Sequence, residues 1–172
     1  MAQDNLQERS RGSVTLDDPM QSLMHDHNYV RQLMQRYLVS QDERVKQQAG
    51  PQICEALQLH TTLEEAVFYP RVQAIDPALV EKGQDDHQNV DELLVQLQEL
   101  QPGESAYDDL MQQLQDSVLN HMELEEQQLF PAIRHAGLDL QDLALRMQAY
   151  EANLISTQAA GGSGSRPGSS LH

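Results

Sequence analysis

Apolar residues recur at steps of three and four through most of the chain, which is the spacing that gives an α-helix one apolar face. Apolar and polar residues nowhere alternate for long enough to predict a β-strand. The pattern predicts four long helices and a short amphipathic fifth, near residues 19–47, 51–75, 77–100, 104–135 and 139–155. Because the connections between the long helices are short, we expect an all-α fold, an up-down-up-down four-helix bundle with a short C-terminal helix.

Proline, glycine and capping residues mark the expected helix ends. Asp18-Pro19 and Asp76-Pro77 each combine an N-cap residue with proline at the first helical position. Gly50-Pro51 is expected to separate the first two helices, Pro102-Gly103 the third from the fourth, and Gly137 the fourth from the fifth.

The sequence contains an internal repeat. Residues 26–34 match residues 86–94, and residues 60–70 match residues 121–131. The two repeats therefore predict two helical hairpins of one design, related by a pseudo-twofold axis.

Six polar residues interrupt the apolar faces at matched positions of the two hairpins. They are His27, His60, Glu64, His87, His121 and Glu125. Burying an unpaired carboxylate costs several kcal/mol, whereas a whole domain is stable by only about 5–15 kcal/mol. We therefore expect a bound cation to compensate for these groups in the core.

The two His-x-x-x-Glu pairs favour a dinuclear metal site. Residues four apart lie one above the other on a helix, so both side chains of a pair reach one point. Imidazole and carboxylate ligands suit iron, zinc or manganese. Four imidazoles and two carboxylates are too many for one tetrahedral zinc ion, and they fit two ions bridged by the carboxylates.

These motifs resemble the signature of the hemerythrin-like HHE cation-binding family, H…H-x-x-x-E…H…H-x-x-x-E, over about residues 17–135. The resemblance implies two non-haem iron ions joined by an oxo or hydroxo bridge. It assigns one iron to His27 and His60, the other to His87 and His121, and the bridging role to Glu64 and Glu125. It also implies binding of dioxygen or a related small molecule for sensing, storage or delivery.

The chain departs from the family's oxygen carriers in two places. Asp91 occupies the position of their fifth histidine, and Glu125 precedes by one residue the position of their last acidic ligand, which is Glu126 here. Water, Asp91 or a tyrosine then remains to complete the ligand set. An enzyme that removes hydrogen peroxide or nitric oxide is the alternative function. A third interpretation, a metal-free helical interaction module, leaves the buried carboxylates unexplained.

Composition narrows the partners and the location. The 27 acidic residues outnumber 11 lysines and arginines, and the net charge of −16 argues against nucleic acid and anionic membranes as partners. Cys54 is the single cysteine, and neither a signal peptide nor a membrane span is predicted. We expect one cytoplasmic domain of residues 17–156 between disordered tails, residues 1–16 and the Gly/Ser-rich residues 157–172.

Overall fold

A computed structural model describes residues 18–161, and within this range all regular structure is helical. The helices are α1 (Pro19–Val39), α2 (Glu43–Leu63), α3 (Tyr69–Val72), α4 (Pro77–Gln98), α5 (Ser105–Leu124), α6 (Phe130–His135) and α7 (Leu140–Gly161). Two π-helical segments, π1 (Glu64–Phe68) and π2 (Glu125–Leu129), join α2 to α3 and α5 to α6. The predicted all-α bundle is confirmed.

Two apolar clusters fill the two ends of the bundle. The far cluster combines the C-terminal ends of α1 and α4 with the N-terminal ends of α2 and α5, and includes Tyr37, Ile53, Leu97, Tyr107 and Met111. The near cluster combines the opposite ends, and includes Met20, Phe68, Val80, Phe130 and, from α7, Met147. Neighbouring helices are therefore antiparallel, and α7 covers the near end.

The predicted caps form where the sequence placed them. The Asp18 side chain accepts a hydrogen bond from the Met20 amide, and the Asp76 side chain accepts one from the Leu79 amide. Gly103 and Gly137 adopt φ angles of 98° and 70°, which glycine tolerates because it has no Cβ. Both glycines lie within connections that the sequence predicted as breaks.

The predicted boundary between the first two helices is wrong. The chain turns at residues 40–42, where the Asp42 side chain caps α2 by accepting from the Arg44 amide, and Pro51 lies inside α2. Gly50 is buried, and a Cβ there would lie 2.7 Å from the Tyr107 hydroxyl. The glycine is thus required for close packing of α5, and the following proline is tolerated on the exposed face.

The C-terminal helix also differs from its prediction. It extends to Gly161, beyond the expected end near residue 155 and into the segment that was assigned to the C-terminal tail. The remainder of that tail and residues 1–16 lie outside the described residues. No described helix is long and apolar enough to cross a membrane.

Candidate metal centre

All six residues that the sequence predicted as ligands converge in the middle of the bundle. His27, Glu64 and Glu125 are fully buried, and His60, His87 and His121 are at most 4 % exposed. Their side chains lie between the two apolar clusters, with one histidine from each long helix and one glutamate from each π-helical segment. The convergence is a structural fact, whereas their binding of metal stays a prediction.

The four histidines form two pairs. The Nε2 atoms of His27 and His60 are 3.2 Å apart, and those of His87 and His121 are 3.1 Å apart. Two nitrogens bound at about 2.1 Å to one metal ion, at a right angle, are about 3.0 Å apart. Each pair is therefore spaced as two ligands of one ion, in the pairing that the family resemblance implies.

Glu64 lies between the two pairs. Its Oε2 is 3.3 Å from Nε2 of His60, 3.1 Å from Nε2 of His87 and 3.9 Å from Nε2 of His121. Neither of its oxygens has a hydrogen-bond partner among the described residues. A carboxylate in this position is placed to bridge two ions.

Glu125 is held differently. Its Oε2 lies 3.3 Å from Nε2 of His27 and 3.5 Å from Nε2 of His121, and lacks a hydrogen-bond partner among the described residues. Its Oε1, in contrast, accepts a 2.8 Å hydrogen bond from the Tyr69 hydroxyl. Burial and the neighbouring carboxylates of Glu64 and Glu125 raise the pKa of Tyr69 well above its usual value, so the phenol keeps its proton and donates it.

Proline sets the backbone geometry of the segment that begins at each buried glutamate. Pro70 and Pro131 have no amide hydrogen, and their rings clash with a standard helical carbonyl. The backbone responds with a wider turn, in which the amide of Tyr69 bonds to the carbonyl of Glu64 and the amide of Phe130 bonds to that of Glu125. The repeated aromatic-proline motif thus produces the two π-helical segments, which begin at the two buried glutamates.

Two further glutamates hold the histidines of α1 and α4. Nδ1 of His27 donates to Oε1 of Glu126 at 2.7 Å, and Nδ1 of His87 donates to Oε1 of Glu65 at 2.8 Å. Arg31 also donates to Glu126, at 2.9 Å. With its proton on Nδ1, each imidazole presents the lone pair of Nε2 to the centre.

Two aspartates face the other pair of histidines. Oδ2 of Asp26 lies 3.6 Å from Nδ1 of His60, and Oδ2 of Asp86 lies 3.8 Å from Nδ1 of His121. These distances are those of ion pairs and are too long for hydrogen bonds. All four imidazoles therefore have a carboxylate at Nδ1 and direct Nε2 inward.

The carboxylates create a strongly negative potential at the histidines. Burial lowers the pKa of His27, but Glu125 and Glu126 outweigh it and raise that pKa to about 9. Burial likewise lowers the pKa of His121, and Glu125, Asp86 and Glu64 raise it to about 10. The centre therefore attracts positive charge, whether as protons or as metal ions.

The donor set fits two cations. His27, His60, Glu64 and Glu125 place four ligand atoms within 4.8 Å of one another, and Glu64, His87 and His121 place three. Three carboxylate oxygens in these groups, both of Glu64 and Oε2 of Glu125, are buried without a described hydrogen-bond partner. A metal ion satisfies such oxygens in a way that protein atoms here do not.

Comparison with known proteins agrees with this geometry. The model of the hemerythrin HHE cation binding domain matches residues 18–133. The chain belongs to this HHE family. Cation binding is therefore a property of the family, and the described residues include two clusters of buried histidine and glutamate that could hold a metal ion.

Two individual proteins resemble this HHE domain. The crystal structure of a hemerythrin HHE cation binding domain-containing protein from Mycobacterium kansasii superposes with a TM-score of 0.65, over 78 % of this chain and 85 % of that chain. At 18 % identity, this likeness shows the fold. A protein named DNA nickase from Nostoc sp. (strain PCC 7120) is 32 % identical over 128 residues, which cover 73 % of this chain and 36 % of that protein.

The other histidines, the tyrosines and Asp91 differ in whether they lie at the centre. His25 and His135 are exposed. Tyr69 is the tyrosine that touches the centre, whereas Tyr37 lies in the far cluster. Asp91 is exposed beside a surface cavity.

Sequence reasoning did not assign a role to Asp26 and Asp86. Both were nevertheless visible, because each directly precedes a matched histidine in the repeat. Each aspartate faces the histidine of the next long helix rather than its own neighbour. The repeated Asp-His pair was the signal that identifies them.

Proposed function

We propose that this HHE domain is a cytoplasmic non-haem di-iron protein that binds dioxygen, or a related small molecule, for sensing, storage or delivery. The observation that carries the proposal is Glu64, a fully buried carboxylate with two oxygens lacking described hydrogen-bond partners between two histidine pairs. A pair of iron ions supplies reversible two-electron exchange with dioxygen when bound. The donor set of imidazole and carboxylate suits iron.

The protein's own residues give the site its selectivity. Because no ligand histidine is more than 4 % exposed, only a very small molecule reaches the centre without a rearrangement of the bundle. The rings of Phe130 and Tyr69 stack on His27 and His87, with centroids 6.0 and 5.2 Å apart. These rings exclude water from the near side of the centre and fix the imidazole planes.

Two outer carboxylates fix the position of the proton on the imidazole rings of α1 and α4. Glu126 and Glu65 keep the protons of His27 and His87 on Nδ1, and burial in an apolar shell strengthens these bonds. The Nε2 atoms then point at the centre, where a bound cation takes the place of a second proton. The surroundings of the site thus favour positive charge at the centre and orient all four Nε2 atoms for a cation.

Elemental analysis of anaerobically purified protein tests the metal. We expect about two iron ions per chain, and we expect His60→Ala or His121→Ala to remove most of the iron. His25→Ala is the matched control, because this exposed histidine lies two residues from His27 without contributing to the centre. Full iron content in both His60→Ala and His121→Ala would contradict the ligand assignment.

Optical spectra distinguish the two chemical functions. A visible band that appears with air and disappears on oxygen removal supports reversible binding. Sustained oxygen evolution from hydrogen peroxide supports the enzymatic alternative and contradicts the proposal. The name of the Nostoc protein does not extend to this chain, since the chain spans about a third of that protein and its charge of −16 repels DNA.

A further inference from the structure

The two outer glutamates of the repeat have different partners. Glu126 and Glu65 occupy matched positions, and each accepts a hydrogen bond from Nδ1 of one predicted ligand histidine. Arg31 donates a second hydrogen bond to Oε1 of Glu126, at 2.9 Å, so this carboxylate is paired with a positive charge. The second partner of Glu65 is the neutral side-chain amide of Gln84, at 3.2 Å. The charge of Glu65 is therefore less compensated than that of Glu126.

The repeat contains the reason for this difference. The residue matched to Arg31 is Asp91, and each follows a predicted ligand, His27 or His87, by four residues. Residues four apart lie on the same face of a helix, so both side chains stand beside the outer glutamate of their hairpin. The first hairpin thus has a long cationic side chain at this position, and the second hairpin has a short anionic one.

In the second hairpin, an acidic cavity leads toward the centre. This α4 cavity, of about 570 Å³, opens between α2 and α4, and Glu65, His87 and Asp91 line it. No lysine or arginine is among its described lining residues. Nε2 of His87 lies 3.1 Å from Oε2 of Glu64, a fully buried carboxylate whose oxygens lack described hydrogen-bond partners. Carboxylate and imidazole groups therefore lead without interruption from the α4 cavity to the middle of the bundle.

In the first hairpin, the matched approach is closed. A cavity of about 640 Å³, the α1 cavity, lies on α1 beside Asn28 and Arg31, whose counterparts in the repeat line the α4 cavity. Neither His27 nor Glu126 lines the α1 cavity. The side chain of Glu126 is 20 % exposed, about half the 39 % of its counterpart in the second hairpin. The ion pair of Arg31 with Glu126 therefore covers the centre on this side.

We propose that metal cations enter and leave the centre through the α4 cavity, and that Arg31 closes the matched route of the first hairpin. Asp91 and Glu65 attract a divalent cation to the cavity and offer carboxylate oxygens in place of part of its water shell. His87, which contacts both Glu65 and Glu64, is the next group inward. Arg31 instead repels a cation and occupies the oxygen of the outer glutamate that would receive it. This inference rests on the metal centre proposed above and adds the route by which it is filled.

Rates of iron binding to the full chain test the route. Asp91→Arg gives the second hairpin the arginine of the first, and we expect it to pair with Glu65 as Arg31 pairs with Glu126. Anaerobic uptake of ferrous ions by the metal-free chain should slow at least roughly tenfold. The final iron content should equal that of the wild type, because the first hairpin already contains the same arrangement. Release of iron from loaded, reduced protein to an excess of a ferrous chelator follows the same route in reverse. It should also slow, and it does not depend on the folding of the metal-free chain.

Exchanging the two residues between the hairpins tests the role of Arg31. The double variant Asp91→Arg, Arg31→Asp closes the α4 cavity and removes the arginine that covers the first hairpin. We expect uptake and release to recover to within about threefold of the wild-type rates, now by the matched route. The melting temperature of each loaded variant distinguishes an opened route from a loosened bundle, which would melt well below Asp91→Arg. Rates that stay as slow as in Asp91→Arg overturn the assignment of Arg31.

Glu99→Arg is the matched control, because it makes the same change of charge at an exposed position at the end of α4, outside the α4 cavity. We expect it to leave both rates unchanged. Slowing as large as that of Asp91→Arg would show an effect of net charge and overturn the route. Unchanged rates in Asp91→Arg, with full iron content, overturn the inference and leave the proposed function standing. A wild-type chain that takes up no iron contradicts the proposed function itself.

Discussion

The metal centre and a polar network at the far end of the bundle contain similar groups but differ in how those groups are satisfied. In the far network, Tyr37 donates to Oδ1 of Asp108 at 2.7 Å and accepts from the Gly103 amide at 3.1 Å. Lys46 donates to Oδ2 of Asp108 at 2.6 Å. Both carboxylate oxygens there have protein partners, whereas both oxygens of Glu64 have none among the described residues.

Exposure explains the difference. The side chain of Asp108 is 34 % exposed, so water shares the cost of its charge, and that of Glu64 is fully buried. Burial alone would raise the pKa of Asp108, but Lys46 and Tyr37 hold it below its usual value. Protein hydrogen bonds therefore complete the far network, whereas the centre keeps buried carboxylate oxygens that a cation could satisfy.

Metal removal gives the largest expected effect. Stripping the metal with a chelator at neutral pH should lower the melting temperature by about 8–16 °C, because tight binding to the folded state contributes about 4 kcal/mol and each kcal/mol shifts Tm by about 2–4 °C. Differential scanning calorimetry measures this shift. Adding iron back is the control, and an unchanged melting curve after complete removal would count against a buried site.

The two buried glutamates should not be equivalent in metal binding. Glu64→Gln replaces the carboxylate common to both ligand groups by an amide. We therefore expect this variant to lose most of the metal at both positions. Glu125→Gln alters one group, and we expect it to retain about one ion per chain. Elemental analysis of the two variants makes the comparison, and equal losses would show that the two glutamates share one role.

Titration separates protons from metal ions as the positive charge in the centre. In metal-free protein, the pKa of His27 is raised to about 9 and that of His121 to about 10, from an ordinary value of 6.5. A raised folded-state pKa stabilises the fold fully below pH 6.5, and this contribution is lost as the pH rises through 9 to 10.

We therefore expect the Tm of metal-free protein to fall between pH 6.5 and 10. Thermal melts across this range, in the presence of a chelator, measure the effect. Metal-loaded protein is the control, since its imidazole Nε2 atoms are occupied by metal and do not take up protons. A pH-independent Tm of the metal-free protein would contradict the electrostatic description of the centre.

Local signals in the sequence were sufficient for most of the bundle and for the ligand cluster. The caps at Asp18 and Asp76 depend on hydrogen bonds within three residues, so they could be predicted without knowledge of the fold. The repeat and the helical spacing placed the six polar residues in the core, because each step of three or four returns to the same face.

Features that depend on contacts between helices could not be predicted in the same way. Gly50-Pro51 has the composition of a break, but packing of Gly50 against Tyr107 keeps it within α2. The core position between Val80 and His87 is Gly83, and the need for glycine there is visible only with Tyr69 beside it. In each case the partner lies on another helix, and only the folded chain identifies it.

The smallest expected effect lies in the far network. Tyr37→Phe removes two hydrogen bonds, to Asp108 and from Gly103, while the ring keeps its apolar contacts. A net contribution of about 1 kcal/mol for each bond predicts a fall in Tm of about 4–8 °C. Metal content should not change, since the lost bonds lie at the opposite end of the bundle from π1 and π2. Calorimetry and elemental analysis of one sample test both statements, and a loss of metal would show that the two polar regions are coupled through the core. A fall in Tm with full metal content would confirm that the far network stabilises the bundle independently of the cation.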